Sequence, residues 1–490
     1  MMTRPRAPAR SAPGRLPRYL RRASADSLVR NSLYLMASTV VTAALGYAFW
    51  VLAAHTFSSR EVGTASAVIS LCSTAALLTY LGSSATLIER LPSREYSSEW
   101  TKVLIRVCGL TVLVTAAVTA AVVPILTASP QYHAFFGSTR AVLAAVLGAA
   151  AWTLVNLLGS AFVAARRAGR LLFIQTLVSV VKLVLIVPLA AAGAGALGLV
   201  GAWVAAALLG SGAGAVWLVP RMRLGRRPGP RVHRREPAGA EDRARARGPA
   251  RHKRAAGLPD AGSVRRLVGQ HLTSVGGAVT PLVLPVLVSL RLGVVQNAYF
   301  YITWMVGSAF FMVSPSVAQA VFAEGVRARA NLSRLVGKAL RVIGALLIPA
   351  VVVVVVAGRL VLRLFGPSYA AAGYGLLIVL AISALPDAVS NVAVVVCRVT
   401  LRLGYSSALN LGILVMTLGG AWFLMPRWGI AGAGAAWLGA QVVGAIASVP
   451  LYTQIRGARA QPDSGLDPGI ALLIEIAEQQ SLDRLSGHLP

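Results

Sequence analysis

Residues 338–362 read KALRVIGALLIPAVVVVVVAGRLVL. Between Arg341 and Arg359 the stretch carries no charge, and Lys338 flanks it on one side. A bilayer's hydrocarbon core is about 30 Å thick, which takes roughly 20 apolar residues at about 1.5 Å each. The lipid offers the backbone no hydrogen-bond partners, so such a run is predicted to be a membrane-spanning helix. Working outward, eleven further runs have the same character: approximately 31–54, 62–88, 103–127, 139–163, 170–192 and 196–219 before it, then 264–290 and 297–323, and 372–396, 405–425 and 428–452 after it. Twelve spans over 490 residues make this an all-α polytopic membrane protein.

Composition agrees. Hydrophobic residues make up 56 % of the chain and charged residues 13 %, about half the share of a soluble domain. These figures exclude a water-soluble enzyme and a disordered chain. The run 31–54 is longer than the apolar core of a secretory signal and reads as the first span. Cys72, Cys108 and Cys397 lie in or beside apolar runs and form no metal or disulfide pattern.

The net charge is +31. In a soluble protein that excess would suggest nucleic acid. With twelve spans and the N-terminus placed in the cytoplasm, 40 of the 47 basic residues fall on the cytoplasmic side and 6 on the other, with Lys182 left inside a span. The positive-inside rule therefore accounts for the charge. It predicts a plasma-membrane protein with both termini cytoplasmic, and no nucleic-acid partner. The expected organisation is a basic arm at 1–30, a six-helix lobe at 31–219, a disordered basic linker at 220–263, a second lobe at 264–452 and a cytoplasmic tail at 453–490. The linker is read as a topology anchor lying on anionic headgroups.

The halves repeat at an offset of about 231–237 residues. Pro130-Gln-Tyr132 matches Pro367-Ser-Tyr369, Arg166 and Arg170 match Arg398 and Arg402, and Gly198-Leu-Val-Gly201-Ala202 matches Gly429-Ile-Ala-Gly432-Ala433. Six spans per half keep both halves in the same orientation, a parallel repeat about an axis along the membrane normal. Such halves enclose a path and rock against each other, which suggests a transporter working by alternating access. Dense Gly and Ala in spans 6 and 12 (Gly210, Gly212, Gly214; Gly432, Gly434, Gly439) are expected to allow close helix packing.

These motifs, in this order, resemble a known family. Asn31-Ser-Leu-Tyr34 opens span 1, Phe57-Ser-Ser-Arg-Glu-Val-Gly63 precedes span 2, and Leu81-Gly82 with Glu89-Arg90 closes it. Leu364-Phe365-Gly366-Pro367-Ser-Tyr369 precedes span 10, Pro386 lies within it, Arg398 follows it, and Gly429-Ile-Ala-Gly432-Ala433 opens span 12. Over residues 28–455 the pattern is similar to the oligosaccharide flippases, or polysaccharide biosynthesis proteins, of the multidrug/oligosaccharidyl-lipid/polysaccharide exporter superfamily. The resemblance implies ATP-independent movement of a polyprenyl-pyrophosphate-linked glycan to the outer leaflet, with glycan polymerase or glycosyltransferases as partners. The sequence implies no cofactor beyond a coupling H+ or Na+.

Two charges sit where lipid makes them costly, by about 2.5–3.5 kcal/mol on insertion scales. Lys182 is expected to meet pyrophosphate or an acidic sugar, and Asp387, beside Pro386, to pair with a basic group and gate. Arg30-Asn31 and Gln270-His271 open spans 1 and 7 and would frame the cytoplasmic mouth; Arg291, opposite His55, would frame the outer one. Asn156, Asn297 and Asn391 read as interhelical hydrogen bonds. Only Asp387 of the sixteen acids lies well inside a span. A lobe with a buried base and few acids suits an anionic lipid-linked substrate. The alternatives are a cation-coupled drug antiporter using Asp387, and a non-transporting assembly factor for an envelope polysaccharide synthase. No GxxxxGK[ST] or HExxH motif is present.

Overall fold

The computed structural model describes residues 27–90, 98–165, 167–224, 261–327 and 332–457. Residues 1–26 of the basic arm, most of the 220–263 linker and the tail beyond Gly457 lie outside the described residues, as do the side chains of Arg30, Asn31 and Gln270.

Lobe 1 holds α1 (Ser27–Thr56), α2 (Ser59–Arg90), α3 (Ser98–Thr127), the short α4 (Pro130–Phe136), α5 (Thr139–Ala164), α6 (Ala168–Ala191) and α7 (Gly195–Leu224). Lobe 2 holds α8 (Ala261–Leu292), α9 (Val294–Gly307), α10 (Val313–Arg327), α11 (Leu332–Arg363), α12 (Pro367–Val399), α13 (Leu403–Trp428), α14 (Ile430–Ala447) and α15 (Val449–Gly457). Among the described residues, eleven helices are long and apolar enough to cross a membrane, and a twelfth span comes from a bent pair. The protein is a multi-pass membrane protein.

The apolar runs become helices with two faces. On α11, Leu332, Val336, Ala339, Ile343 and Leu347 recur at helical spacing and are buried in the lobe. Leu346, Val353, Val356 and Leu360 point outward, Val356 with 81 % of its surface exposed. Lipid makes that exposure favourable. At the 56–59 turn, Ser58 and Glu61 form a capping box: the Ser58 N–H donates to Glu61 Oε2 (2.8 Å) and the Glu61 N–H to Ser58 Oγ (3.3 Å). At the matching turn of lobe 2, Gly293 adopts φ 92°, open to glycine and strained for other residues, and joins α8 directly to α9.

Span 8 differs from the continuous helix expected. It breaks between Val294–Gly307 and Phe310–Phe322 with a 43° bend, around a 3-10 turn at Phe310–Met312. Pro315 explains the break: it has no N–H for the preceding turn and its ring crowds the carbonyl four residues back, at Phe311. Pro450 sits likewise just after Ser448, where α14 gives way to α15.

The repeat is visible in the packing. In lobe 1, α1 pairs with α6, α2 and α3 with α5, and α7 with both α5 and α6. In lobe 2, α8 pairs with α13, each of α9, α10 and α11 packs on α12, and α14 pairs with both α12 and α13. Arg170 donates to the Trp217 carbonyl (3.2 Å) and lies over its ring, while Arg402 donates to Gln454 Oε1 (2.6 Å), so each matched arginine clasps the end of its own lobe. Within lobe 1, hydroxyls lace α2, α3 and α5 together through Thr79–Thr115 (2.6 Å), Ser83–Thr111 (2.7 Å) and Ser84–Ser160 (2.7 Å). Of the glycines expected to pack closely, a Cβ at Gly210, Gly214, Gly432 or Gly434 would crowd a neighbour; Gly212 and Gly439 face open space.

The lobes meet at one end only of the described structure. One apolar cluster joins Phe49, Trp50, Val62, Val68, Tyr132 and Phe136 of lobe 1 to Ala298, Ile302, Phe365 and Tyr369 of lobe 2. At the opposite end each lobe has its own cluster, around Leu87, Trp100 and Leu218 in one and Leu332, Val396 and Leu451 in the other. We call the joined end the closed end.

Candidate functional site

The closed end is built where α2 crosses α9. Asn297, fully buried, donates from Nδ2 to the Gly63 carbonyl (2.8 Å) and to Ser66 Oγ (3.0 Å). Deeper, the Tyr47 hydroxyl donates to the Met305 carbonyl (3.0 Å), and Trp50 packs on Tyr301 at 4.7 Å between ring centroids. From Val294 to Met305 is roughly 16 Å along the helix, so the contact seals about half the bilayer's depth. Tyr132 hydrogen-bonds Ser289 of lobe 2. Burial of this ring pushes the Tyr132 phenol up to about 12, so it stays protonated at neutral pH. Its match in the repeat, Tyr369, turns its buried hydroxyl toward Ser59 of lobe 1 without closing a hydrogen bond.

Lys182 lies in α6, half-buried and about 13 Å from the nearer helix end. Its ammonium sits 5.3 Å from the centroid of the Phe49 ring on α1. Among the described residues no carboxylate neighbours it. Phe49 belongs to the inter-lobe cluster, so Lys182 lies against an aromatic ring of the closed end.

Asp387 lies in α12, about 18 Å from the helix end, and is buried inside lobe 2. Its partners are polar and neutral. Ser314 donates to Oδ2 at 2.9 Å, and Asn391, one turn along the same helix, also donates to Oδ2 at 2.9 Å. No basic group pairs with it among the described residues, in contrast to the sequence expectation, because these neutral donors occupy its carboxylate. A cavity of about 60 Å³ opens beside it, lined by Thr280, Asn391, Asn410, Trp437 and Gln441 among others. That space holds several waters or one bare cation. Gln441 Oε1 and Trp437 Nε1 are buried without hydrogen-bond partners.

Of the remaining candidates, Arg30, Asn31 and Arg291 fall near helix ends. Arg291, exposed at the closed end, stacks over Trp422 of its own lobe at 4.9 Å. Arg30 and Asn31 are in the first turns of α1, and Gln270 is in α8, well before its midpoint. Lys182 and Asp387 lie in different lobes, so the candidates form no single cluster. Of the three asparagines, Asn156 bonds within its own helix (Trp152 carbonyl, 2.7 Å), while Asn391 and Asn297 reach other helices. Thr280, Ser314, Asn410 and Gln441 went unnoticed in the sequence. The i, i+4 spacing of Asp387 and Asn391 was the signal available for part of that set.

No model of a protein family matches the sequence, and no curated protein matches it. Solved structures do. An inward-facing multidrug resistance MATE family transporter of the MOP superfamily aligns with a TM-score of 0.58 at 16 % identity, over 88 % of this chain and 96 % of that one. The lipid II flippase MurJ, in an inward closed conformation, aligns with a TM-score of 0.60 at 12 % identity, over 86 % and 89 %. A MOP superfamily transporter from Pyrococcus furiosus aligns with a TM-score of 0.52 at 13 % identity, over 89 % and 96 %. The two-lobed architecture of this chain, with eleven spanning helices and a twelfth span from the bent pair among the described residues, is similar to the fold of these structures.

Proposed function

We propose that the protein is a transporter, not an enzyme, that moves a polyprenyl-pyrophosphate-linked oligosaccharide to the outer leaflet for cell-surface polysaccharide synthesis. The observation that carries this reading is Lys182. An ammonium inside a span, with an aromatic ring but no carboxylate beside it, calls for an anion from outside the protein. A diphosphate supplies one. Contact between the lobes at one end and separate packing at the other supports alternating access. The distribution of Lys and Arg supports a plasma-membrane protein with the closed end outward and both termini in the cytoplasm. Membrane lipid is then one partner, and the enzymes that build or polymerise the glycan are others.

Asp387 supports coupling to an ion. A carboxylate at this depth is neutralised by a proton or a cation, and the oxygens of Thr280, Ser314, Asn391, Asn410 and Gln441 around it are hard ligands of the sort that suit Na+. The same observation favours the second reading, a cation-coupled antiporter of a drug-like small molecule. Purified protein in vesicles, given a fluorescent lipid-linked oligosaccharide and a membrane-impermeant quencher, separates the two. Protein-dependent flipping supports the flippase. Exchange of cationic dye for Na+ or H+, with no flipping, supports the antiporter.

A further inference from the structure

We propose that Asn297 and Gly63 form a latch between the lobes at the closed end, and that closure of this end depends on their contact. The proposal rests on the alternating-access part of the reading above and is independent of the substrate.

The contact of α2 with α9 carries the argument. Asn297 donates across the lobes to the Gly63 carbonyl and to Ser66 Oγ. Gly63 lies against Val294. α2 is the second span of lobe 1 and α9 opens the second span of lobe 2, so the lobes meet here through corresponding helices. The two sides differ in chemistry: lobe 1 contributes a bare backbone and a hydroxyl, lobe 2 an amide. Ser66 also donates to the Gly63 carbonyl (3.0 Å), so one side chain of lobe 2 caps a turn of α2 that has its own local bond.

The absence of a side chain at position 63 is what lets the helices touch. A Cβ there would overlap the Val294 carbonyl and press on the Ala298 amide. The three nearest atoms it would meet all belong to lobe 2. Alanine at this position leaves lobe 1 free to fold and favours the α2 helix, yet blocks closure. Position 63 is one turn into α2, at the very end of the bundle, where separation of the lobes is largest when that end opens. Tyr47 and Met305, near mid-depth, lie closer to the pivot.

The test uses the full chain in lipid nanodiscs. The three native cysteines are buried and are replaced by alanine. Spin labels go on Ala128→Cys and Ser368→Cys, both exposed at the closed end, one per lobe. Pulsed dipolar spectroscopy then reads the distance between lobes. The background protein is expected to show a dominant short distance. Asn297→Ala removes two bonds from a buried amide and is expected to raise the ratio of open to closed by about tenfold. Gly63→Ala is expected to abolish the short distance. If Asn297→Ala fails to fold, Gly63→Ala decides alone, since its closest overlaps lie across the interface. A short-distance population unchanged in Gly63→Ala overturns the proposal, whatever the protein transports.

Discussion

Replacing Lys182 by methionine separates a functional charge from a structural one by the sign of two effects. In the fold, Lys182 gives up the cost of a charge in lipid, about 2.5–3.5 kcal/mol at full depth and less for a half-exposed side chain. Against that, it loses a cation–π contact with Phe49 worth about 0.5–2 kcal/mol. Methionine keeps the length and flexibility of the stem. The difference favours the variant by roughly 1 kcal/mol, so its Tm should stay level or rise by about 1 °C. Transport should move the other way. An ammonium 4 Å from a phosphate is worth about 4 kcal/mol at an effective dielectric of 20. If half of that is realised when the headgroup passes, flipping falls about 30-fold. Thermal unfolding of the purified protein and flipping in vesicles read the two quantities on the same preparation. A variant that is less stable by more than about 1 kcal/mol and flips at the wild-type rate would refute the reasoning and make Lys182 a packing residue.

Four further outcomes follow from the geometry. Asp387→Asn keeps the shape of the side chain but removes the charge, so flipping should lose its dependence on an imposed Na+ or H+ gradient while the fold persists; a gradient response equal to wild type would remove Asp387 from coupling. Tyr132→Phe and Ser289→Ala should be non-additive in thermal unfolding by about 1 kcal/mol, and a double-mutant cycle closing within about 0.3 kcal/mol would show no coupling. Because burial raises the Tyr132 phenol to about 12 from an ordinary value near 10, its contribution to stability should be complete below about pH 10 and lost as pH rises toward 12, a loss that Tyr132→Phe should not show. Arg170→Ala and Arg402→Ala should each loosen the end of their own lobe, lowering Tm without changing the distance between lobes at the closed end.

The spans were legible because lipid imposes length and composition together, and a run such as Val342–Gly358 has no soluble alternative. The repeat was legible because turn residues such as those around Tyr132 and Tyr369 are held by backbone geometry. The break in span 8 was harder to read. Pro315 is visible in the sequence, but membrane helices tolerate proline, and only the packing of α9 against α2 and α12 fixes where the chain bends. The site was legible in part. Asp387 and Lys182 stand out because charge in lipid is expensive, while the neutral groups around Asp387 come from α8, α10, α12, α13 and α14 and meet only when the lobe is assembled. Asn297 reads in one dimension as an ordinary interhelical hydrogen bond. Its importance lies in which helix it meets, and sequence spacing alone carries that only through the repeat.

The central claim is that this chain carries a lipid-linked glycan across the membrane. Removing the gene and identifying, by mass spectrometry, the polyprenyl-linked glycans held on the cytoplasmic leaflet tests it most directly. The account predicts accumulation of one complete repeat unit, relieved by the wild-type gene and not by Lys182→Ala. No accumulation, together with altered sensitivity to cationic drugs, would contradict it.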